Sequence, residues 1–130
     1  MVNCSEGEPA SAKDSALMLA APHLVLDGAQ LLAEALEITH VHVSVPGERP
    51  SVVAAAKAAI RERRRGRKAV AFELHTTSGG FVGGQARAVL EMVSGRDNLP
   101  VTAKEPEAIS GLRGARPCFP TPRLWRIWPR

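Results

Sequence analysis

A chain of 130 residues has room for one domain, and a composition 45% hydrophobic and 23% charged is that of an ordinary globular protein, neither disordered nor collagen-like. Only 4% is aromatic and Tyr is absent, so any core must be aliphatic and rich in alanine. The net charge of +4, with a pI near 9.7, points to an anionic partner such as nucleic acid, and two cysteines are too few for a disulfide framework.

Met1-Val2-Asn3 reads as the end of a strand, and Cys4-Ser5-Glu6-Gly7-Glu8-Pro9 as a polar turn. Ser11 suits the cap of a short helix through Leu19 that Pro22 ends. From His23, Leu24, Leu26, Leu31, Leu32, Ala35 and Leu36 form a helical stripe. His40-Val41-His42-Val43-Ser44-Val45 alternates with period two, as a half-buried strand requires. Pro46-Gly47-Glu48-Arg49 is a turn, and Pro50 opens a helix over Ser51–Arg65 that Gly66 stops. Ala69–His75 is a second strand. The glycine-rich loop Ser78-Gly79-Gly80-Phe81-Val82-Gly83-Gly84 then leads into a helix ending near Val93. This order predicts an α/β sandwich with a mainly parallel sheet. Residues 96–114 read as loop, and 115–130 form an irregular tail with four of the ten prolines and both Trp.

Mapping the charge weakens the nucleic-acid reading. Residues 1–114 hold 13 basic and 13 acidic groups, so the four Arg of the tail supply the whole excess. The one basic run, Arg61-Glu62-Arg63-Arg64-Arg65-Gly66-Arg67-Lys68, lacks the interleaved aromatics of a nucleic-acid surface. No 18-residue apolar run exists, and Glu6 and Glu8 stand where a signal peptide needs positive charge. The expectation is a cytoplasmic protein without membrane insertion.

Two loops can carry chemistry. Glycines between a strand and a helix let backbone approach a ligand, and the helix start offers N–H groups to a phosphate. Residues 78–84 match neither Gly-x-Gly-x-x-Gly nor a Gly-Lys-Ser/Thr ending, so a plain turn competes with a ligand site. Residues 3–9 follow a strand, where open α/β sheets bind ligands. There Asn3 can donate and accept, and Glu6 and Glu8 can accept from ribose or ribityl hydroxyls. A solvated acidic turn is the simpler alternative. His40 and His42 share a strand face and His75 ends the next strand, but no carboxylate or Cys falls at a supporting metal spacing. No metal ligand is therefore assigned. Cys4 has no base partner, and no catalytic residue is assigned either.

Taken together and in this order, the two loops resemble those of the NADH-binding flavoprotein (F-type) subunit of NADH:quinone oxidoreductase, respiratory complex I, and its relatives in NAD-linked hydrogenases and formate dehydrogenases. The family's N-x-D-E-G-E-P followed by K-D is matched by Asn3-Cys4-Ser5-Glu6-Gly7-Glu8-Pro9 and Lys13-Asp14. Its P-H-L motif is matched by Pro22-His23-Leu24-Val25-Leu26-Asp27-Gly28. The stretch Gly80-Phe81-Val82-Gly83-Gly84-Gln85-Ala86-Arg87-Ala88-Val89-Leu90 occupies the place of its G-A-Y-I-C-G-E-E-T-A-L, with Gly84 at the glycine before the paired glutamates. The resemblance implies a Rossmann-like domain that holds FMN beside NADH, passes a hydride to the flavin, and releases electrons through an iron–sulfur cluster to partner subunits. It implies that Asn3 and Glu6 contact FMN, that Glu8 lies on the nicotinamide side, and that Phe81, Gly83, Gly84 and Gln85 line the flavin.

The departures mark a divergent copy. The family's Asp is Ser5, and its paired glutamates are Gln85 and Ala86, which removes acceptors near the cofactor. The family's upstream flavin loop and stacking aromatics, and its downstream ubiquitin-like domain and cluster cysteines, are not in these 130 residues. The expectation is a partial FMN/NADH domain over 1–114, inactive alone and unable to bind the family's cluster, with a peripheral place in a larger complex. A competing reading is a stand-alone α/β module that engages anionic partners through Arg61–Lys68. Read one base out of frame, codons allowed for Ala115–Pro129 can spell R-P-T-L-L-S-N-A-E-T-L-A-H, close to the family's continuation. A one-base frameshift near Gly114 predicts that the shifted reading of the gene stays open and encodes cluster cysteines. Sequencing the gene and its downstream flank checks this, and an early stop in the shifted frame refutes it.

Overall fold

The alternating valines of residues 41–45 sit at the centre of the structure, a computed structural model that describes residues 1–8, 10–63 and 70–102. Its strands are β1 (Val2–Asn3), β2 (His40–Pro46) and β3 (Ala71–Thr77), and its helices are α1 (Lys13–Ala20), α2 (Pro22–Ala35), α3 (Pro50–Arg63) and α4 (Ala86–Val93). The sheet runs β1-β2-β3 and every pairing is parallel. Val43 lies between Val2 and Leu74 in this register and is fully buried. The expected α/β sandwich is the observed fold.

Strand order follows chain order, so both crossovers advance the same way and their helices belong on one face of the sheet. The packing agrees. Met18 of α1, Val25, Leu26 and Ala29 of α2, and Val52, Ala56 and Ile60 of α3 share one core with Val41, Val43, Val45 and Phe72. Alanines 29, 33, 56 and 59 are buried in it, which lets the helices lie close to a sheet with few aromatics. Helix α4 packs on β3, and its buried Ala88, Val89 and Leu90 lie outside that cluster.

Two elements differ most from the sequence expectation. Helix α1 starts at Lys13 behind Ala12, and Ser11 is not its cap. Instead the Ser11 hydroxyl donates to Glu6 Oε1 at 2.6 Å, while Glu6 Oε2 accepts from the Ser15 N–H. A carboxylate from the preceding loop thus occupies the helix start. Strand β3 runs two residues later than expected, because pairing continues until Thr77 meets Pro46 at the end of β2. The helix stop at Gly66, the run from Arg64 to Lys68, and the tail 115–130 lie outside the described residues. At the end of α3, Arg63 donates to Gln30 Oε1 and the His23 carbonyl and pairs with Asp27, which ties α3 to α2.

No single helix among the described residues is long and apolar enough to cross a membrane. Helices α1 and α2 together have the length, but they bend by 96° and bury Met18, Val25 and Leu26 in the core.

Glu6 joins three segments. Lys13 Nζ sits 2.7 Å from its Oε1 and Arg49 Nη1 3.8 Å from its Oε2, and only 2% of its side chain is exposed. Arg49 also donates to Ser15 Oγ at 2.7 Å and to the Ser11 carbonyl. Burial alone pushes the Glu6 carboxyl up, but hydrogen bonds from Lys13, Ser11 and the Asp14 and Ser15 backbone override it and lower the pKa from 4.5 to about 2. A carboxyl depressed in the folded state stabilises fully above its unfolded pKa of 4.5, and that contribution disappears as pH falls towards 2. Glu6→Gln is therefore expected to cost about 1–3 kcal/mol at pH 7 and to flatten the loss of stability between pH 5 and pH 2, read by urea unfolding across that range. Val43→Ala, a cavity at the centre of the sheet, is expected to cost about 2 kcal/mol with no such pH dependence, in the same assay.

Candidate functional site

The loop after β1 (residues 4–12) and the loop after β3 (residues 78–85) both leave the carboxyl ends of parallel strands, where open α/β sheets bind ligands. They touch each other. A Cβ on Gly7 would collide with the Phe81 carbonyl, and one on Gly84 with the Ser5 carbonyl. Glycine at these two positions lets backbone lie against backbone. In the sequence the glycines read as room for a ligand, but in the fold they first make room for the opposite loop.

Asn3 locks the contact. Its Nδ2 donates to the Gly84 carbonyl at 2.8 Å, and its Oδ1 accepts from the Ser5 N–H and from the Ser44 hydroxyl. One amide thus links β1, β2 and the glycine-rich loop. Asn98 does the same from the other side. Its Oδ1 accepts from the Ser78 N–H and hydroxyl, and its Nδ2 donates to the Gly83 carbonyl at 3.0 Å. Sequence reasoning misses Asn98, because it sits in a stretch without periodicity where nothing marks a side chain as reaching back 20 residues.

Where the loops meet they line an open cavity of about 250 Å³, bordered by Ser5, Glu6, Gly7, Glu8, Lys13, Asp14, Phe81, Gly84 and Gln85. Of the residues expected at a cofactor, Glu6, Glu8, Phe81, Gly84 and Gln85 come together on this one wall. Asn3 and Gly83 do not line it, and they hold the loops from behind. Phe81 stands 68% exposed at the rim, and Glu8 and Gln85 are also exposed. Gln85 precedes the first turn of α4 in an extended conformation, and its side chain makes no capping bond. The Ser5 hydroxyl is buried in the wall and finds no hydrogen-bond partner among the described residues. A buried hydroxyl without a partner costs free energy, so a polar group entering the cavity would relieve it.

The other candidates separate clearly. Cys4 is fully buried in the core, and burial, reinforced by Asp14 and Glu6, pushes its thiol up to about 12, far from a thiolate nucleophile. His40 is exposed and its Nδ1 lies 2.9 Å from the Thr39 hydroxyl. His42 and His75 approach each other on the sheet surface, away from the cavity. Burial lowers the His42 pKa, opposed by Glu73 and helped by His75, the chain's amino terminus and His40, which favours the neutral ring.

The Nuo51 FMN-binding domain matches residues 1–115 of the chain. The F-type subunit of NADH-quinone oxidoreductase from Mycobacterium tuberculosis H37Rv is 32% identical over 124 residues, covering 88% of this chain and 28% of that protein. The mitochondrial 51 kDa subunit of NADH-ubiquinone oxidoreductase from Neurospora crassa is 28% identical, covering 88% of this chain and 25% of that protein. Among solved structures, an NAD+-reducing NiFe-hydrogenase in its H2-reduced state superposes over 95% of this chain and 22% of its own, with a TM-score of 0.76 and 22% identity, a likeness of fold. The chain thus spans about a quarter of the length of these relatives. With the family description matched over nearly the whole chain, and its two loop motifs meeting at one cavity, the chain belongs to the Nuo51 FMN-binding domain family.

Proposed function

We propose that these residues form part of an FMN and NADH site and that the 130-residue chain by itself does not oxidise NADH. The observation that carries the reading is the convergence of both family motifs on one cavity. A volume of about 250 Å³ falls below the roughly 300–1,000 Å³ of sites that enclose a whole small molecule, which suits one part of a cofactor. The donor set fits as well. The unpartnered Ser5 hydroxyl and the exposed Glu8 carboxylate suit a polyol or the polar edge of a ring, and Phe81 offers an apolar face at the rim.

In this reading Glu8, Phe81, Gly84 and Gln85 contact the cofactor, while Asn3, Glu6 and Gly83 keep the two loops in place. Bound FMN would supply hydride acceptance from NADH and release of single electrons. The chain's own residues bind and orient. With Cys4 and Cys118 as its only cysteines, the chain cannot supply the thiolates of an iron–sulfur cluster, so electrons have no exit through it. That gap supports a unit that works only beside other subunits.

Titrating the purified chain into FMN is expected to quench the flavin fluorescence to saturation, without consumption of added NADH. Phe81→Ala is expected to weaken FMN binding by about three- to tenfold, the worth of one aromatic contact, with the circular dichroism unchanged. No FMN binding, together with salt-sensitive binding of nucleic acid, would instead favour a stand-alone module using the Arg61–Lys68 run.

A further inference from the structure

We propose that His42, Glu73 and His75 form a binding site for one divalent cation of the Zn2+ type on the sheet surface, separate from the loop cavity. The parallel register of β2 and β3 places His42 opposite Glu73 and Ser44 opposite His75. Residues 42, 73 and 75 thus share one face of two adjacent strands. The carboxylate that linear spacing could not supply to the imidazoles arrives from across the sheet.

The separations fit a single ion. His42 Nδ1 lies 3.0 Å from His75 Nε2, 3.4 Å from Glu73 Oε2, and His75 Nε2 lies 3.6 Å from Glu73 Oε1. Ligand atoms about 2.0–2.2 Å from a tetrahedral Zn2+ stand roughly 3.3–3.5 Å from one another, so the two carboxylate separations are close to the required size and the two ring nitrogens need to part by only a few tenths of an ångström. Two imidazole nitrogens can share at most one proton in a hydrogen bond, whereas a cation satisfies both lone pairs and the carboxylate together. The two rings are mostly buried, with 26% and 17% of their side chains exposed, and lie tilted at 45° to each other. Glu73 is 64% exposed, which leaves the fourth position open to water and gives the ion a way in. Both strands are paired along their length, so the donors are held before the ion arrives.

The test uses the full chain and the metal alone. Calorimetric titration is expected to show one Zn2+ per chain, and Co2+ is expected to give the intense visible bands of a four-coordinate site without sulfur-to-cobalt charge transfer. His42→Ala and His75→Ala are each expected to weaken Zn2+ binding by at least about 100-fold, the upper end of what loss of a supporting residue around a metal costs. Glu73→Gln, an exposed change that keeps the shape, is expected to weaken it by about tenfold or more. His40→Ala is expected to bind as the parent does, and Zn2+ is expected to raise the thermal midpoint of the parent but not of the double variant lacking both rings. Circular dichroism identifies any variant that fails to fold, and Glu73→Gln then decides alone. Absence of binding, charge transfer from a cysteine, or equal affinity in Glu73→Gln and the parent would each overturn the proposal.

Discussion

The contact on which the site depends is backbone against backbone, Gly7 beneath the Phe81 carbonyl and Gly84 beneath the Ser5 carbonyl. Two loops that leave different strands can approach this closely only where neither carries a Cβ at the crossing. Asn3 then converts proximity into a fixed geometry, since one amide bonds Gly84, Ser5 and Ser44 at once. Ser5, Glu8, Phe81 and Gln85 face one cavity because the main chains that bear them are clamped. The glycine-rich loop is therefore a packing surface first and a ligand surface second.

A second constraint acts through charge. Glu6, Glu8 and Asp14 all contribute to the cavity wall, yet the wall is less acidic than those three carboxylates suggest. Lys13 and Arg49 neutralise Glu6, and the start of α1 uses its second oxygen. A buried carboxylate needs such company, for without it desolvation would drive the group to its neutral form. Glu6 consequently links the loop after β1 to α1 and, through Arg49, to the turn before α3. The exposed Glu8 is left as the acceptor that faces open space.

Much of this is legible in the order of residues. Alternating valines at 41, 43 and 45 announce a strand, Pro50 marks a helix start that the structure keeps, and Pro22, read as the end of one helix, is the first residue of the next. Ser11 misleads because a hydroxyl at a helix start is locally indistinguishable from a cap. Its preference for Glu6 arises only when the preceding loop folds back. The late end of β3 cannot be read from its own residues, because pairing with β2 decides how far a parallel strand extends. Asn98 and the Ser5 hydroxyl carry no local signal at all.

Periodicity and composition along the chain suffice for the α/β class and the aliphatic core, and the resemblance of the motifs at 3–9 and 80–90 to known ones points to the family. They also assign the positive charge to the tail and not to residues 1–114, which removes the first pointer to nucleic acid. Which motif residues face the cavity and which brace it, and which carboxylate joins the two histidines, emerge only from the folded chain. Those facts depend on strand register and on loops from distant segments meeting, and neither is encoded in the local spacing of residues along a chain.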